Sequence, residues 1–139
     1  MSVVRVLVVD DVEGIRQSIC SRLGANPFEI IGEASDGSMA VQLAEKMQPT
    51  VVLLDIGLPG LDGIEAGRQI RRVAPNARIV FVSQEFDADI VRAGLQFGAW
   101  GYVLKSDAAR ELVEAIHTVV GDRMFVSSGV GGHFFRDIP

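Results

Sequence analysis

The sequence predicts an α/β protein with a five-stranded parallel sheet covered by helices on both faces. Short apolar runs alternate with amphipathic segments five times along the 139 residues, and the connections between them are short. Strands that alternate with helices in this way pair in parallel through right-handed crossovers, which places helices on the two faces of one sheet. A chain of this length corresponds to a single domain.

The first two strand and helix units occupy the N-terminal third of the chain. The first strand, Val3 to Val9, is apolar and runs into Asp10 and Asp11. The helix after it has apolar residues at helical spacing, which predicts one buried face formed by Val12, Ile15, Ile19 and Leu23. The second strand, Phe28 to Ala34, contains two glutamates, which indicates an edge position. A second helix then ends before Pro49.

The third strand, Val51 to Asp55, is apolar up to its last residue and runs into a turn rich in glycine and proline. Such a run predicts a strand buried on both faces that places one carboxylate at its carboxyl end. Asp62 and Glu65 then form the start signal of a third helix that ends near Ala74. Asp62 is therefore interpreted as an N-cap.

The last two units follow the same pattern. The fourth strand is Arg78 to Ser83, and a helix follows it from about Asp87 to Phe97. The fifth strand is Trp100 to Leu104, with Lys105 at its end, and the fifth helix runs from about Ala108 to Val120. From residue 121 the pattern breaks, so we expect a domain over residues 1–120 and a tail or linker stump over residues 121–139.

Composition excludes several classes of function. The formal net charge is -5 and there is no basic run, so we expect no nucleic-acid binding by these residues. The single cysteine, Cys20, excludes an intrachain disulfide and fits a reducing compartment. We identify neither a signal peptide nor an apolar run approaching ~18 residues, and therefore expect a cytoplasmic protein without membrane contact.

Polar side chains stand at the carboxyl ends of four predicted strands, which share one edge of a parallel sheet. They are Asp10, Asp11, Asp55, Ser83 and Lys105. Carboxylates within ~5 Å of one another repel by roughly 3 kcal/mol per pair at an effective dielectric of about 20, so the cluster calls for a cation. Mg²⁺ fits because it accepts few carboxylates and keeps waters and phosphate oxygens as its other ligands.

These residue types point to phosphoryl transfer. Asp55 stands alone at the centre of the predicted crevice, which favours it as the nucleophile, whereas the adjacent Asp10 and Asp11 suit a metal-holding pair. Lys105 supplies an ammonium that can pair with Asp55 and then with its phosphoryl group. The Ser83 hydroxyl can donate a hydrogen bond to a phosphoryl oxygen.

Over about residues 3 to 120 the sequence resembles the receiver domains of two-component response regulators. The resemblance is carried by Val-Val-Asp-Asp at 8 to 11, by Leu-Leu-Asp-Ile-Gly-Leu-Pro-Gly-Leu-Asp-Gly at 53 to 63, by Ser83, and by Gly-Tyr-Val-Leu-Lys at 101 to 105. It implies the flavodoxin-like fold with strand order 2-1-3-4-5. The sequence around Gly101 and Tyr102 is most similar to the LuxR/NarL/FixJ-type branch, whose members often continue into a helix-turn-helix domain.

The same resemblance implies roles for individual residues. Asp55 would accept a phosphoryl group from a histidine kinase or phosphotransfer protein. Asp11, Asp55 and the carbonyl of Gly57 would bind Mg²⁺, and Asp10 would assist through water. Phosphorylation would draw in the Ser83 hydroxyl, turn the ring of Tyr102 inward and reshape the surface of helix four, strand five and helix five. A phosphorylation-dependent homodimer and control of an attached or separate transcriptional output would follow.

Two positions depart from the family pattern. Gln84 follows the switch hydroxyl where a small residue is common, which predicts narrower access to the phosphoryl group. Ser106 follows Lys105 where many members have a cis proline, and because a non-proline cis bond costs ~2.5 to 4 kcal/mol we expect a trans peptide.

Three other functions have requirements that can be compared with the same residues. A Mg²⁺-dependent phosphohydrolase of the haloacid-dehalogenase type would have a second aspartate two positions after the nucleophile, where this chain has Gly57. A pseudo-receiver scaffold would not need the complete set of acids, hydroxyl and ammonium. A flavin carrier would need a phosphate-binding run in the first loop, and this loop lacks it.

Overall fold

The computed structural model describes residues 3–84 and 86–127. These residues form helices on both sides of a single sheet. The strands are β1 Val4–Val9, β2 Phe28–Ala34, β3 Val51–Asp55, β4 Arg78–Ser83, β5 Gly101–Leu104 and β6 Phe125–Val126. The helices are α1 Glu13–Gly24, α2 Gly37–Met47, α3 Gly63–Val73, α4 Ala88–Phe97 and α5 Lys105–Val120.

The sheet has the order β2-β1-β3-β4-β5-β6, and all its pairs are parallel. This confirms the doubly wound fold and the predicted 2-1-3-4-5 order. The edge position of β2 is confirmed as well, and its side chains of Glu29 and Glu33 are exposed.

The prediction of five strands is one short, because β6 pairs with β5 in the stretch predicted as a tail. Gly101 lies opposite Phe125, and Tyr102 lies opposite Val126. The guanidinium of Arg78 holds the turn before β6, since it stacks 3.9 Å from the ring centroid of Trp100 and pairs with Asp122. A strand of two residues has no period that a sequence pattern can reveal. Residues 128–139 of the predicted tail lie outside the described residues, and the boundary at residue 120 stays a prediction.

The core has two halves because successive strand residues point to opposite faces of the sheet. One face carries Leu7, Leu54 and Phe81 and is covered by α2, α3 and α4. The other face carries Val8 and Leu53 and is covered by α1 and α5. The central strands are therefore buried on both faces, and their carboxyl ends are held rigidly at one edge.

Two predicted helix starts are corrected. Val12 was placed on the buried face of the first helix, but it is the N-cap residue and its exposed fraction is 47%. The fifth helix begins at Lys105 and not near Ala108, because its polar first turn follows β5 without a loop. The predicted cap at Asp62 is confirmed, since its Oδ1 accepts a hydrogen bond from the Glu65 amide at 2.9 Å.

Candidate functional site

The acids and the lysine predicted from the strand ends converge on the carboxyl edge of the sheet. One carboxylate oxygen from each of Asp10, Asp11 and Asp55 lies within 4.8 Å of the others. A cleft of about 350 Å³ opens beside them. It is lined by Asp11, Val12, Asp55, Ile56, Gly57, Ser83, Gln84 and Lys105.

Asp55 ends the central strand β3, and only 4% of its surface is exposed. Its Oδ1 accepts a hydrogen bond from the Gly57 amide at 2.9 Å, and its Oδ2 accepts one from Lys105 Nζ at 3.2 Å. Burial raises the pKa of the Asp55 carboxyl above its ordinary value, and the charge of Asp10 adds to the rise. The bonds from Gly57 and Lys105 oppose it without cancelling it.

Lys105 lies between two carboxylates at the first residue of α5. Its Nζ is 3.2 Å from Oδ2 of Asp10 and 3.2 Å from Oδ2 of Asp55. Burial lowers the pKa of Lys105, but the contacts with Asp10 and Asp55 outweigh burial and hold this pKa above its ordinary value. The side chain is therefore an ammonium at neutral pH, and it offsets part of the repulsion between the acids.

Asp10 and Asp11 differ in exposure. Asp10 is 1% exposed, and its Oδ1 accepts a hydrogen bond from the Val12 amide at 2.9 Å. Its buried Oδ2 has the ion pair with Lys105 and accepts no well-aligned hydrogen bond from the described residues. Asp11 is exposed on the rim of the cleft.

The donor set fits a hard divalent cation. One lysine cannot neutralise three neighbouring carboxylates, and one of them keeps a buried oxygen with spare acceptor capacity. Mg²⁺ takes one or two protein carboxylates and fills its remaining positions with water or phosphate oxygens, for which the open cleft has room.

Ser83 and Gln84 line part of the same cleft. Ser83 is the last residue of β4 and is half-buried, whereas Gln84 is exposed. Both line the cleft together with Asp55 and Lys105. The departure at Gln84 therefore lies at the entrance of the site. The second departure has no effect on the peptide geometry, because the bond between Lys105 and Ser106 is trans as predicted.

Gly63 brings the start of α3 against the end of β3. Its amide donates a hydrogen bond to the Ile56 carbonyl at 3.0 Å. A Cβ at this position would overlap the backbone carbonyl oxygen of Asp55. The sequence indicated only a turn glycine here, but the structure shows that its missing side chain permits the close approach that supports Asp55.

Tyr102, the predicted switch residue, is buried among the side chains on the α3 and α4 side of the sheet. The exposed Phe86 meets it edge to face, with ring centroids 6.3 Å apart. In this structure the ring is already turned inward.

Two residues near the site were missed by the sequence analysis. Arg16 on α1 contacts the backbone of Asp10, and Ser127 after β6 accepts a hydrogen bond from the Leu104 amide at 2.8 Å. Arg16 lies inside a helix and Ser127 follows a strand of two residues that no sequence pattern predicts, so the sequence carries no signal for these contacts.

Comparison with known proteins defines the class that this fold and site represent. A model described as the response regulator receiver domain matches residues 6–117. The chain therefore belongs to the response regulator receiver domain family.

Individual relatives place it in the LuxR/NarL-type group of that family. The chain is 39% identical to the transcriptional regulatory protein LiaR of Bacillus subtilis over 130 residues, which cover 93% of this chain and 62% of LiaR. It is 31% identical to the nitrate/nitrite response regulator protein NarL of Escherichia coli K12 over 126 residues, which cover 90% of this chain and 58% of NarL. The chain thus spans about three fifths of the length of these relatives.

A solved structure of a LuxR family response regulator has the same fold as this chain. The crystal structure of a LuxR family two-component response regulator from Aurantimonas sp. SI85-9A1 superposes with a TM-score of 0.87 at 32% identity, and the match covers 93% of each chain.

Among the described residues, none of the helices has the length and apolar character that crossing a membrane requires.

Proposed function

We propose that this receiver domain accepts a phosphoryl group on Asp55 from a histidine kinase or a phosphotransfer protein and that the modification switches its surface. The observation that carries the proposal is the setting of Asp55. Its carboxylate is buried at the end of the central strand, is contacted by the ammonium of Lys105, and borders a cleft that a phosphoryl donor can enter.

The transfer is a displacement at phosphorus. A carboxylate oxygen of Asp55 attacks the phosphorus of an N-phosphohistidine, so that a P–O bond forms as the P–N bond breaks. The electron pair of the broken bond stays on the imidazole nitrogen of the donor. The product is an aspartyl phosphate on this chain, and the freed imidazole nitrogen takes up a proton from solvent to give a neutral histidine on the donor.

Mg²⁺ belongs to the same proposal, held by Asp11, Asp55 and the carbonyl of Gly57, with Asp10 assisting through water. When bound, Mg²⁺ would neutralise part of the negative charge on the phosphoryl oxygens. Lys105 already contacts Oδ2 of Asp55 and is placed to follow the charge onto the phosphoryl group. Ser83 lines the cleft, and we propose that its hydroxyl donates a hydrogen bond to a phosphoryl oxygen.

The switch follows from the added charge. A phosphoryl group on Asp55 brings about -1.5 to -2 charges and strong hydrogen-bond acceptors, which bias loops and helices near it. Ser83 is the last residue of β4, and Tyr102 lies beside that strand in β5. We propose that Ser83 passes the change to the surface formed by α4, β5 and α5, where a second copy of the chain binds, and that phosphorylation holds the Tyr102 ring in the inward position that it already has.

The output and the location complete the proposal. LiaR is named a transcriptional regulatory protein. We propose that this receiver likewise controls a transcriptional output, on the same chain or on a separate one, and that it acts in the cytoplasm. The net charge of -5 speaks against nucleic-acid binding by the receiver itself.

Intact-protein mass spectrometry after treatment with acetyl phosphate tests the proposal. We expect a single phosphoryl adduct that requires Mg²⁺ and is absent from Asp55→Asn. Asp62→Asn is the matched control, because it makes the same change at a helix cap that asparagine serves equally well, and it should retain the adduct. No adduct on the wild type would contradict the proposal and favour a scaffold that works without phosphorylation.

A phosphohydrolase is the second candidate, since the aspartyl-phosphate chemistry is shared. Gly57 stands where that class of enzyme has its second acid, and its amide donates to Asp55 Oδ1. We therefore expect no more than one phosphate released per protein in a short incubation with a phosphate monoester. Many turnovers, lost in Asp55→Asn, would establish the hydrolase.

A further inference from the structure

We propose that Arg16 is a positioning residue for the Mg²⁺ site and acts by holding the backbone carbonyl of Asp10. The inference rests on the proposed function, because it concerns the metal that the acid cluster would bind. It adds a residue on α1 that the phosphoryl chemistry does not touch.

The guanidinium of Arg16 connects the residues after β1 to the edge strand β2 through hydrogen bonds from two of its nitrogen atoms. Its Nη1 donates a hydrogen bond to the backbone oxygen of Asp10 at 2.9 Å, and its Nε donates to Oε1 of Glu33 on β2 at 3.0 Å. The side chain of Arg16 is only 18% exposed, and its bond to the Asp10 carbonyl is partly buried, whereas its bond to Glu33 lies at the surface, where that carboxylate is 47% exposed. The planar guanidinium makes both at once, and a lysine ammonium cannot reproduce that fork.

The bonded carbonyl belongs to the peptide that joins Asp10 to Asp11. Because a peptide unit is planar, its orientation sets the direction in which the Cα–Cβ bonds of both residues leave the chain. The Asp10 amide donates to the Ala34 carbonyl at 3.1 Å, and Oδ1 of Asp10 accepts from the Val12 amide. These two bonds hold the neighbouring peptides, and Arg16 holds the carbonyl of the peptide between Asp10 and Asp11 itself.

Asp11 depends most on this constraint. Its side chain is exposed on the rim of the cleft, and it makes no hydrogen bond or ion pair with another described residue. The backbone conformation therefore sets the orientation of the Asp11 side chain relative to the neighbouring carboxylates. Loss of the bond to Asp10 would let the peptide rotate and would spread the carboxylate oxygens that now lie within 4.8 Å of one another.

A positioning role of Arg16 and a purely electrostatic role predict opposite effects of its removal on Mg²⁺ affinity. Arg16 is a cation near a cation site, so its removal should strengthen Mg²⁺ binding if its charge alone matters. Removal should weaken binding if Arg16 orders the ligands. Partners that orient metal ligands typically contribute about 10- to 100-fold in affinity. We expect a loss of about tenfold, since Arg16 acts on the backbone and not on a carboxylate.

Calorimetric titration with Mg²⁺ alone, without a phosphoryl donor, tests the inference. We expect Arg16→Ala to bind Mg²⁺ about tenfold more weakly than the wild type. Arg22→Ala is the matched control, because it removes the same charge from an exposed position on the same helix, and its affinity should not fall. Equal or tighter binding by Arg16→Ala would overturn the inference.

Two further variants keep the test valid if Arg16→Ala unfolds. Arg16→Lys retains the charge but not the fork, and Glu33→Gln retains Arg16 but weakens its anchor on β2. Both should fold and bind Mg²⁺ more weakly than the wild type, and wild-type affinity in both would overturn the inference. Absence of Mg²⁺ binding by the wild type would contradict the metal site of the proposed function itself, whereas normal wild-type binding with unchanged variants contradicts only the role of Arg16.

Discussion

The ammonium of Lys105 lies 3.2 Å from Oδ2 of Asp55, at the point where the first turn of α5 meets the end of the central strand. The pair brings together two residues that are 50 positions apart in the chain. Asp55 is the last residue of β3 and Lys105 is the first residue of α5, so the packing of these two elements brings the side chains together. The first prediction follows from it.

Lys105→Met should slow the Mg²⁺-dependent phosphorylation of Asp55 by about 10²- to 10³-fold, because one preorganised donor to the developing charge is lost. The rate of adduct formation, followed by intact-protein mass spectrometry, measures the effect. Lys46→Met is the control, since Lys46 is exposed on α2 and lines none of the site. Equal rates in the wild type and Lys105→Met would remove Lys105 from the mechanism.

Asp55→Asn should raise the unfolding temperature at pH 7 in a buffer with chelator. The pKa of Asp55 is raised in the folded state, so its contribution to stability is fully present below the pKa of an unfolded aspartate and is lost as the pH rises through the folded pKa. At pH 7 the ionised Asp55 therefore opposes folding, and asparagine relieves this. The advantage of the variant should shrink as the pH falls below the usual aspartate range.

Mg²⁺ provides the internal check on this pH experiment. It should raise the unfolding temperature of the wild type, because an ion that binds only the folded state stabilises it. It should raise that of Asp55→Asn much less. A variant that is less stable than the wild type at pH 7 without Mg²⁺ would contradict the raised pKa of Asp55.

Gly63→Ala should destabilise the fold by about 1–3 kcal/mol, the usual cost of forcing an extra methyl into a packed site. The new Cβ would overlap the Asp55 carbonyl, which is backbone and cannot move without displacing Asp55, the proposed phosphoacceptor. Denaturant unfolding measures the loss. Gly14→Ala is the control, since a Cβ there meets no atom within 4 Å and alanine favours the helix. Equal stability of the two variants would contradict the close approach at Gly63.

Ser127→Ala should cost about 1–3 kcal/mol of unfolding free energy, because the Leu104 amide loses its acceptor at a part-buried position. Hydrogen exchange at Leu104 should accelerate. Ser106→Ala removes a hydroxyl from an exposed site in the first turn of α5 and should change neither quantity. Unchanged exchange at Leu104 in Ser127→Ala would show that the Ser127 hydroxyl does not protect the Leu104 amide.

The sequence predicted those parts of the site that lie at strand ends. Asp10, Asp55 and Lys105 could be placed together because apolar runs locate strands and because parallel strands share a carboxyl edge. Arg16 could not be assigned, since its partners Asp10 and Glu33 depend on how α1 rotates over β1 and β2. Strand β6 was missed because two residues show no alternation.

The most direct test of the central claim is to locate the phosphoryl group. After treatment with acetyl phosphate and Mg²⁺, borohydride reduces an aspartyl phosphate to homoserine, which peptide mass spectrometry can assign to a position. We predict homoserine at Asp55, dependent on Mg²⁺ and absent at Asp10 and Asp11. A phosphoryl adduct on the intact protein with Asp55 unmodified would contradict the assignment of Asp55 as the phosphoacceptor.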